Sequence, residues 1–273
     1  MNISELFDLH GRTVLITGGS GVLGRVMAGG LAQAGARVAV LGRREEPALA
    51  VAASIRAEGG ESLGVAADVL DRTALERANE IIMATLGPVD ILINGAGGNS
   101  PQGSTGPDRT FFQLEMEAIR HVFDTNVTGA IVCSQVFGRV MAERRQGCII
   151  NIASMAGLRP LTRVVTYGAA KAALINFTHW LAVHMAQEYS PNIRVNAIAP
   201  GFFLTEQNRY LMLDAEGKLT PRGQAIVSHT PAGRLGEPAD LMGTLLWLVS
   251  PAAAFVTGVV IPVDGGFSSF SGI

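Results

Sequence analysis

Seven short apolar runs, separated by helix-length segments, constrain the fold of this 273-residue chain more than any other feature. They read TVLIT, RVAVL, SLGVAA, VDILIN, CIINIA, IRVNAIA and GVVIPV, at residues 13–17, 37–41, 62–67, 89–94, 148–153, 193–199 and 258–263. Strands buried on both faces read as continuous apolar runs, and parallel pairing requires crossover segments of about a dozen residues. The pattern therefore predicts an α/β fold, a doubly wound seven-stranded parallel sheet with helices on both faces.

Composition favours a single domain over residues 1–273. The chain is 48% hydrophobic and 16% charged, which is enough apolar material for one large core, and it contains no repeat or linker. Its formal net charge of -2 comes from 21 basic and 23 acidic residues without a dense block of either sign. We therefore expect a small-molecule substrate and no nucleic-acid or membrane partner.

The amino terminus and the cysteines indicate a cytoplasmic protein. MNISELFDLHGR carries acidic residues and lacks the apolar core of a signal peptide. No stretch approaches the roughly 18 uncharged apolar residues of a membrane span. Cys133 and Cys148 lie in apolar stretches with no second Cys or His at metal-ligand spacing, so both are predicted to be buried free thiols and no metal site is predicted.

Two segments interrupt the alternation of strands and helices. One is the Gly/Pro/Ser-rich loop GAGGNSPQGSTGPDRT at about residues 95–110, and the other spans about residues 201–238. Both follow predicted strands at their carboxyl ends, the edge where open α/β sheets bind ligands. They are predicted to form the walls of a substrate pocket.

The first strand runs into a glycine turn and a helix, which predicts a Rossmann-type dinucleotide site. The turn contains Gly19-x-Gly21-x-x-Gly24, and glycines there let the backbone approach a pyrophosphate at the helix N-terminus. Asp68, at the end of the third strand, has two interpretations. It caps the following helix, or it holds an adenine amino group.

The residues after the second strand favour NADP(H) over NAD(H). A carboxylate at this point holds the ribose hydroxyls of NAD, whereas a cation accommodates the 2′-phosphate of NADP. Here the strand ends VLGRREE, with Gly42 at the carboxylate position and Arg43 and Arg44 following it. A guanidinium can grip a phosphate with paired hydrogen bonds, although Glu45 and Glu46 lie next to these arginines.

A tyrosine and a lysine lie four positions apart in TYGAAKAAL, residues 166–174. On a helix, Tyr167 and Lys171 share a face, and the small residues between them leave space. A phenol ionises too reluctantly for proton transfer at neutral pH. A positive charge about 4 Å away is worth up to roughly 4 kcal/mol, so Lys171 is expected to lower the pKa of Tyr167 by up to about three units.

In order along the chain, TGGSGVLG, AADV, NGAG, TNVTG, NIASMAG, YGAAK, VNAIAPG and VDGG resemble the short-chain dehydrogenase/reductases over nearly the full length. Ser154 precedes Tyr167 by thirteen residues and Lys171 follows it by four, which is the spacing of that family. Two positions depart from its pattern. Val22 replaces the usual second glycine of the turn, and Gly95 replaces the second of two asparagines.

The resemblance implies an NAD(P)-dependent oxidoreductase acting on a secondary alcohol or ketone, and a homotetramer. Tyr167 is then the acid/base, Ser154 a donor to the substrate oxygen, Lys171 also a contact of the nicotinamide ribose, and Asn126 the anchor of a relay water. The implied cofactor-binding residues are Gly18, Gly19, Ser20, Gly21, Leu23, Gly24, Arg43, Asp68, Val69, Asn94, Gly95, Ala96, Tyr167, Lys171, Pro200, Gly201 and Thr205.

Within the family, NGAGGN with its polar insertion, HTPAGRLGEP and the end DGGFSSFSGI look most like oxidoreductases of D-fructuronate and D-mannonate. The candidate substrate residues are polar or cationic side chains in or near the two long segments, namely Asn99, Ser100, Gln102, Ser104, Arg159, Arg163, Arg209, Arg222 and His229. A sugar-acid oxidoreductase is the leading hypothesis. A reductase of 3-oxoacyl thioesters or another small ketone is the first alternative, and a non-catalytic dinucleotide-binding regulatory protein is the second.

Overall fold

A computed structural model of the chain describes residues 2–205 and 209–272. Seven parallel strands form one sheet in the order β3-β2-β1-β4-β5-β6-β7. Their bounds are β1 Thr13–Thr17, β2 Arg37–Gly42, β3 Ser62–Ala66, β4 Ile91–Asn94, β5 Gly147–Ile152, β6 Ile193–Pro200 and β7 Val260–Val263. The predicted doubly wound seven-stranded sheet is confirmed.

The helices of the described residues fill the connections between strands. They are α1 Ile3–Leu6, α2 Val22–Gln33, α3 Glu45–Ala57, α4 Arg72–Leu86, α5 Met116–Phe123, α6 Gly129–Arg144, α7 Val165–His184, α8 Arg209–Met212, α9 Pro221–His229 and α10 Met242–Val249. A π-helical stretch, Asp124–Thr128, joins α5 to α6, and a second, Met185–Tyr189, follows α7. None of these helices is long and apolar enough to cross a membrane.

Side chains of β1, β2, β4 and β5 alternate between two hydrophobic cores, one on each face of the sheet. In β1, Val14 and Ile16 pack with α2, α3 and α10, whereas Leu15 packs on the other face with α4, α6 and α7. Both faces are covered, which explains why the strands read as continuous apolar runs. Cys133 and Cys148 are buried free thiols, as predicted, and burial raises the pKa of Cys133 to about 12.

Two predicted strands begin later than their apolar runs. Residues 89–90 precede β4, although the Asp90 backbone bonds to Thr13 and Cys148, and its carboxylate accepts the Thr13 amide and pairs with Arg144, both at 2.9 Å. Residues 258–259 precede β7, where Gly258 has a φ of 74° that no strand residue adopts. A turn conformation therefore overrides apolar composition at the start of β7.

The order of the strands reverses between β1 and β4, because β2 and β3 extend to one side and β5, β6 and β7 to the other. Such a reversal opens a crevice at the carboxyl ends of the strands. The segment 95–110 starts from the end of β4, and the segment 201–238 starts from the end of β6. Residues 206–208 of the second segment lie outside the described residues.

Candidate active site

The glycine turn after β1 is shaped for a phosphate. Gly18 has a φ of 66°, and a Cβ there would lie 2.9 Å from backbone atoms of Ala96. A Cβ at Gly24 would collide with the Gly18 carbonyl oxygen. Helix α2 begins at Val22 after Gly21, with no capping side chain and no acidic residue in its first turn. Its first amides are therefore free for a pyrophosphate, and these residues fit a dinucleotide.

The end of β2 lies directly beside this turn. The Gly19 amide donates to the Leu41 carbonyl oxygen at 3.3 Å. A Cβ at Gly42 would lie 3.1 Å from the hydroxyl oxygen of Ser20, so a side chain at position 42 would start next to the turn. Arg43 follows in an exposed bend. It forms no ion pair with any residue that the structure describes.

Asp68 does not cap the helix that follows it. Its carboxylate accepts the backbone amide of Leu70 at 3.0 Å. Asp71 is the N-cap of α4, and its side chain accepts the amide of Ala74. The capping interpretation of Asp68 is therefore wrong, and contact with an adenine stays a prediction.

The Asn94 side chain lies in the core and not at the cofactor edge. Its Nδ2 donates to the Asn151 side-chain oxygen at 2.8 Å and to the Ser134 hydroxyl at 3.2 Å. The amides of Gly95 and Ala96 both donate to the hydroxyl oxygen of Thr17, at 3.2 and 3.1 Å. A cofactor at this edge would therefore meet their carbonyl oxygens and not the Asn94 amide.

The remaining predicted cofactor residues frame the crevice. Leu23, in the first turn of α2, packs against the core, and Val69 is buried beneath the loop after β3. Pro200 ends β6, and a Cβ at Gly201 would lie 2.6 Å from Cβ of Asp264, so the ends of β6 and β7 approach closely. Thr205 is the last described residue before position 206.

Ser154 lies two residues beyond the end of β5 and is buried. Its hydroxyl oxygen accepts the Ala156 amide at 3.1 Å and so caps the single 3-10 turn Met155–Gly157. The hydroxyl hydrogen is left to donate. A Cβ at Gly157 would lie 2.7 Å from the Lys171 backbone, so glycine lets this turn pack directly on α7.

Tyr167 and Lys171 occupy successive turns at the start of α7, as predicted from their spacing. Lys171 is buried, and its Nζ donates to the Ile152 carbonyl oxygen at 2.7 Å and lies 5.6 Å from the centroid of the Tyr167 ring. The half-buried Tyr167 faces the same cavity as Ser154. The strand end and the helix therefore bring the three predicted catalytic residues together.

The expectation that Lys171 lowers the pKa of Tyr167 is wrong in this structure. Burial raises the pKa of Tyr167, and a hydrogen bond with Ser154 offsets only part of the rise. Burial also lowers the pKa of Lys171 to about 7. A lysine with this pKa carries only a partial charge at neutral pH, so desolvation of the phenol outweighs attraction by the ammonium.

Asn126 lies in the π-helical stretch between α5 and α6, a conformation often found at functional sites. Its Nδ2 donates to the carbonyl oxygens of Gly98 and Val122 at 2.7 and 2.8 Å, and its Oδ1 accepts the Gly98 amide at 3.2 Å. A Cβ at Gly97 would lie 2.5 Å from this Oδ1 and 3.3 Å from the Lys171 Nζ. Asn126 thus fixes the loop after β4 beside Lys171, with one lone pair of Oδ1 left for a water.

A cavity of about 640 Å³ opens over Ser154 and Tyr167. Its polar lining comes from Ser154, Tyr167, Asn99, Thr162, Arg222 and His229. The apolar lining comes from Met155, Ala156, Pro160, Leu161, Val164, Phe202, Ala225, Ile226 and Phe267. No sequence pattern predicts this apolar wall, because its members come from four separate segments that meet only in the folded chain.

The polar insertion after β4 supplies fewer polar groups to the cavity lining than the sequence predicts. Asn99 lines the cavity, but its Nδ2 donates to the Ser104 hydroxyl at 2.9 Å. Ser100 donates to the Gln102 side chain at 3.0 Å. These hydroxyl and amide groups satisfy one another within the loop, so three of the four predicted polyol partners lie outside the cavity lining.

The predicted substrate arginines also fall into two groups, those outside the cavity lining and one within it. Arg159 lies outside the cavity lining, and its Nε donates to the Ser268 carbonyl oxygen at 3.0 Å. Arg209, on α8, is exposed and also outside the lining, as is Arg163, whose carbonyl oxygen accepts the Thr105 amide. Arg222 does line the cavity. His229 lines it too, with its ring 4.7 Å from that of Phe267.

Comparison with known proteins agrees with this geometry. A family model described as short chain dehydrogenase matches residues 12–215. An uncharacterised oxidoreductase, UxuB, of Bacillus subtilis (strain 168) is 49% identical over 275 residues, covering 97% of this chain and 98% of that protein.

Two solved structures are similar over nearly the whole chain. A protein provisionally assigned as a D-mannonate oxidoreductase from Haemophilus influenzae, with bound NAD, is 42% identical, with a TM-score of 0.92 and 100% of both chains covered. A gluconate 5-dehydrogenase from Burkholderia cenocepacia J2315, in complex with NADP and tartrate, is 32% identical, with a TM-score of 0.87 and 98% and 99% covered. The chain therefore belongs to the short-chain dehydrogenase family, whose members are NAD(P)-dependent oxidoreductases that act on CH–OH groups.

Proposed function

We propose that the protein is an NAD(P)-dependent reductase of a ketonic sugar acid, with Asn126, Ser154, Tyr167 and Lys171 as its catalytic residues. The observation that carries this proposal is that Ser154 and Tyr167 line one cavity at the carboxyl edge of the sheet, with Lys171 buried beside them. A protein that only binds a dinucleotide would not require this set of proton donors.

The polar groups of the cavity have distinct tasks in ketone reduction. The Ser154 hydroxyl donates its hydrogen to the carbonyl oxygen, and Tyr167 gives its phenolic proton to the same oxygen as negative charge develops there. The bound nicotinamide dinucleotide supplies the hydride. Burial raises the pKa of Tyr167, so its phenol stays protonated at neutral pH, which suits the reductive direction.

For the cofactor, we favour NADP(H). Arg43 is exposed beside the glycine turn, and Gly42 offers no carboxylate to hold a ribose hydroxyl or to repel a 2′-phosphate. The two similar structures contain NAD in one case and NADP in the other. The proposed cofactor cradle consists of the glycine turn, Arg43, Asp68 and the backbone at the ends of β4 and β6.

The sugar-acid substrate is supported by the names of the two similar structures, a D-mannonate oxidoreductase and a gluconate 5-dehydrogenase. D-fructuronate and D-mannonate are the substrate pair that we expect. The segments 95–110 and 201–238 supply cavity residues such as Asn99 and Phe202 and are the proposed substrate loops.

A second candidate is a reductase of 3-oxoacyl thioesters or another small ketone. The observation that favours it is the apolar wall of the cavity, which includes Leu161, Phe202 and Phe267. Such a wall suits an acyl chain better than a polyol.

The test is an assay of purified enzyme with NADPH and NADH against D-fructuronate, D-fructose and a 3-oxoacyl thioester. We expect the highest kcat/KM for D-fructuronate with NADPH. A preference for the thioester would replace the substrate proposal, and no turnover of any ketone would overturn the enzymatic one. The family resemblance also supports a cytoplasmic homotetramer, which light scattering coupled to size-exclusion chromatography would check.

A further inference from the structure

Helix α9 presents one of its faces to the cavity. Arg222, Ala225, Ile226 and His229 all line it, at spacings of three, four and seven residues. Residues at these spacings share one face of a helix. Arg222 is at the exposed end and His229 is half-buried, so the cation lies toward the mouth of the cavity.

Arg222 differs from Arg159, Arg163 and Arg209 in lining the cavity. Its guanidinium makes no hydrogen bond or ion pair with any residue of the described ranges 2–205 and 209–272. Arg159, in contrast, is engaged by the carbonyl oxygen of Ser268. Among the residues that the structure describes, no aspartate or glutamate lines the cavity, so none of them neutralises Arg222.

The surroundings of Arg222 strengthen its attraction for an anion. Ile226, one helical turn away, is buried, and the cavity wall adds Phe202 and Phe267. Arg222 itself is exposed, so its interaction with an anion becomes strong only when a bound substrate excludes water from this apolar wall. A guanidinium also offers two parallel N–H donors that match a carboxylate.

We propose that Arg222 is a specificity residue that binds the substrate carboxylate, so that the enzyme selects anionic over neutral ketoses. This inference rests on the proposed function, because it assigns the anionic end of the sugar acid to a residue of the same cavity. The aromatic contacts of His229 with Phe267 and Phe270, at 4.7 and 4.9 Å between ring centroids, hold the other end of the α9 face in place.

Kinetics of Arg222→Gln test this assignment. Glutamine keeps the length and helix propensity of the side chain but removes the charge. We expect kcat/KM for D-fructuronate to fall about ten- to a hundredfold, mainly through KM, because a charge-assisted hydrogen bond is lost. Activity on D-fructose should change less than about twofold, and Arg222→Lys should retain part of the preference for the acid.

The matched control is Lys218→Gln, which removes one exposed positive charge from the same segment outside the cavity lining. It should leave both activities near those of the parent. An equal loss of kcat/KM for D-fructuronate in Arg222→Gln and Lys218→Gln would show a general effect of charge and overturn the assignment. If the parent reduces D-fructuronate and Arg222→Gln does so with the same kcat/KM, the assignment of Arg222 is overturned and the proposed function is left intact.

A binding measurement keeps the two proposals distinguishable without turnover. D-mannonate and D-mannitol differ only in a carboxylate against a hydroxymethyl group, and calorimetry gives their affinities for the NADPH-loaded enzyme, in which the reduced cofactor cannot oxidise either compound. We expect the parent to bind D-mannonate at least about tenfold better and Arg222→Gln to lose this preference. Equal affinities in the parent would overturn the inference, whereas a preference removed by the mutation would support it even if D-fructuronate is not reduced.

Discussion

The catalytic floor and the rim of the site differ in how their side chains are held. The floor consists of Asn126, Ser154, Tyr167 and Lys171, and the rim consists of the two exposed arginines Arg43 and Arg222. Each floor residue is at least half-buried and makes hydrogen bonds, such as that from Lys171 to the Ile152 carbonyl oxygen at 2.7 Å. Each rim residue is exposed and forms no ion pair with the described part of the chain.

We interpret this difference as a separation between the groups proposed to perform chemistry and the groups proposed to select ligands. A group that acts on a transition state must be positioned before the substrate arrives, and the protein contacts of the floor provide that order. An unpaired exposed cation has no such order, but it retains its full capacity for a ligand anion. Floor substitutions should therefore reduce turnover of every substrate, whereas rim substitutions should change preference.

The largest effect is expected for Tyr167→Phe. The variant keeps the ring but loses the phenolic proton, so kcat should fall at least about a hundredfold with every ketone and with either cofactor. Cofactor affinity should stay near that of the parent. Steady-state kinetics with fluorescence titration of NADPH would measure both quantities. Near-normal turnover of the folded variant would remove Tyr167 from the floor.

The prediction of the floor rested on the spacing of Tyr167 and Lys171 on a helix and on the motifs that resemble the short-chain dehydrogenase/reductases. The resemblance supplied Ser154 and Asn126, which lie two residues beyond β5 and in the π-helical stretch before α6. The raised pKa of Tyr167 was not predictable, because burial depends on the packing of α7 against the turn Met155–Gly157.

The substrate side was predicted less well, for a physical reason. Loop composition indicated polar groups, but Ser100, Gln102 and Ser104 satisfy one another or their own backbone. Which arginine reaches the cavity depends on the rotation of α9, and that rotation is set by tertiary contacts, since the buried Ile226 packs with Met212 and Leu235. Asn94 shows the same limitation, because its motif did not reveal that its side chain faces the core.

The second prediction concerns how the free energy of unfolding changes with pH, and it tests the burial of Lys171 in the floor. The pKa of Lys171 is about 7 in the folded protein, below its ordinary value of 10.5. Between these values the unfolded chain binds more protons, so this lysine makes stability rise with pH by up to about 1.4 kcal/mol per pH unit. Lys171→Met should lack this contribution. The free energy of unfolding of the parent should therefore rise relative to that of the variant between about pH 7 and 9.

Urea unfolding at several pH values would measure this difference. Lys218→Met, at an exposed lysine, is the control and should follow the parent across the range. If the difference in unfolding free energy between the parent and Lys171→Met does not change with pH, Lys171 is not neutralised in the floor.

The smallest effect is expected at the cofactor end of the rim. Arg43→Ala removes the exposed guanidinium beside the glycine turn, so the preference for NADPH over NADH in kcat/KM should fall roughly fivefold, since exposed charge pairs are worth only about 1 kcal/mol. Turnover at saturating cofactor should persist, unlike that of Tyr167→Phe. Arg77→Ala, at an exposed arginine of α4, controls for net charge. Two results would show that Arg43 does not select the cofactor: a higher kcat/KM of the parent with NADH, or an unchanged NADPH-to-NADH ratio of kcat/KM in Arg43→Ala. Arg222 would then be the selective cation of the rim.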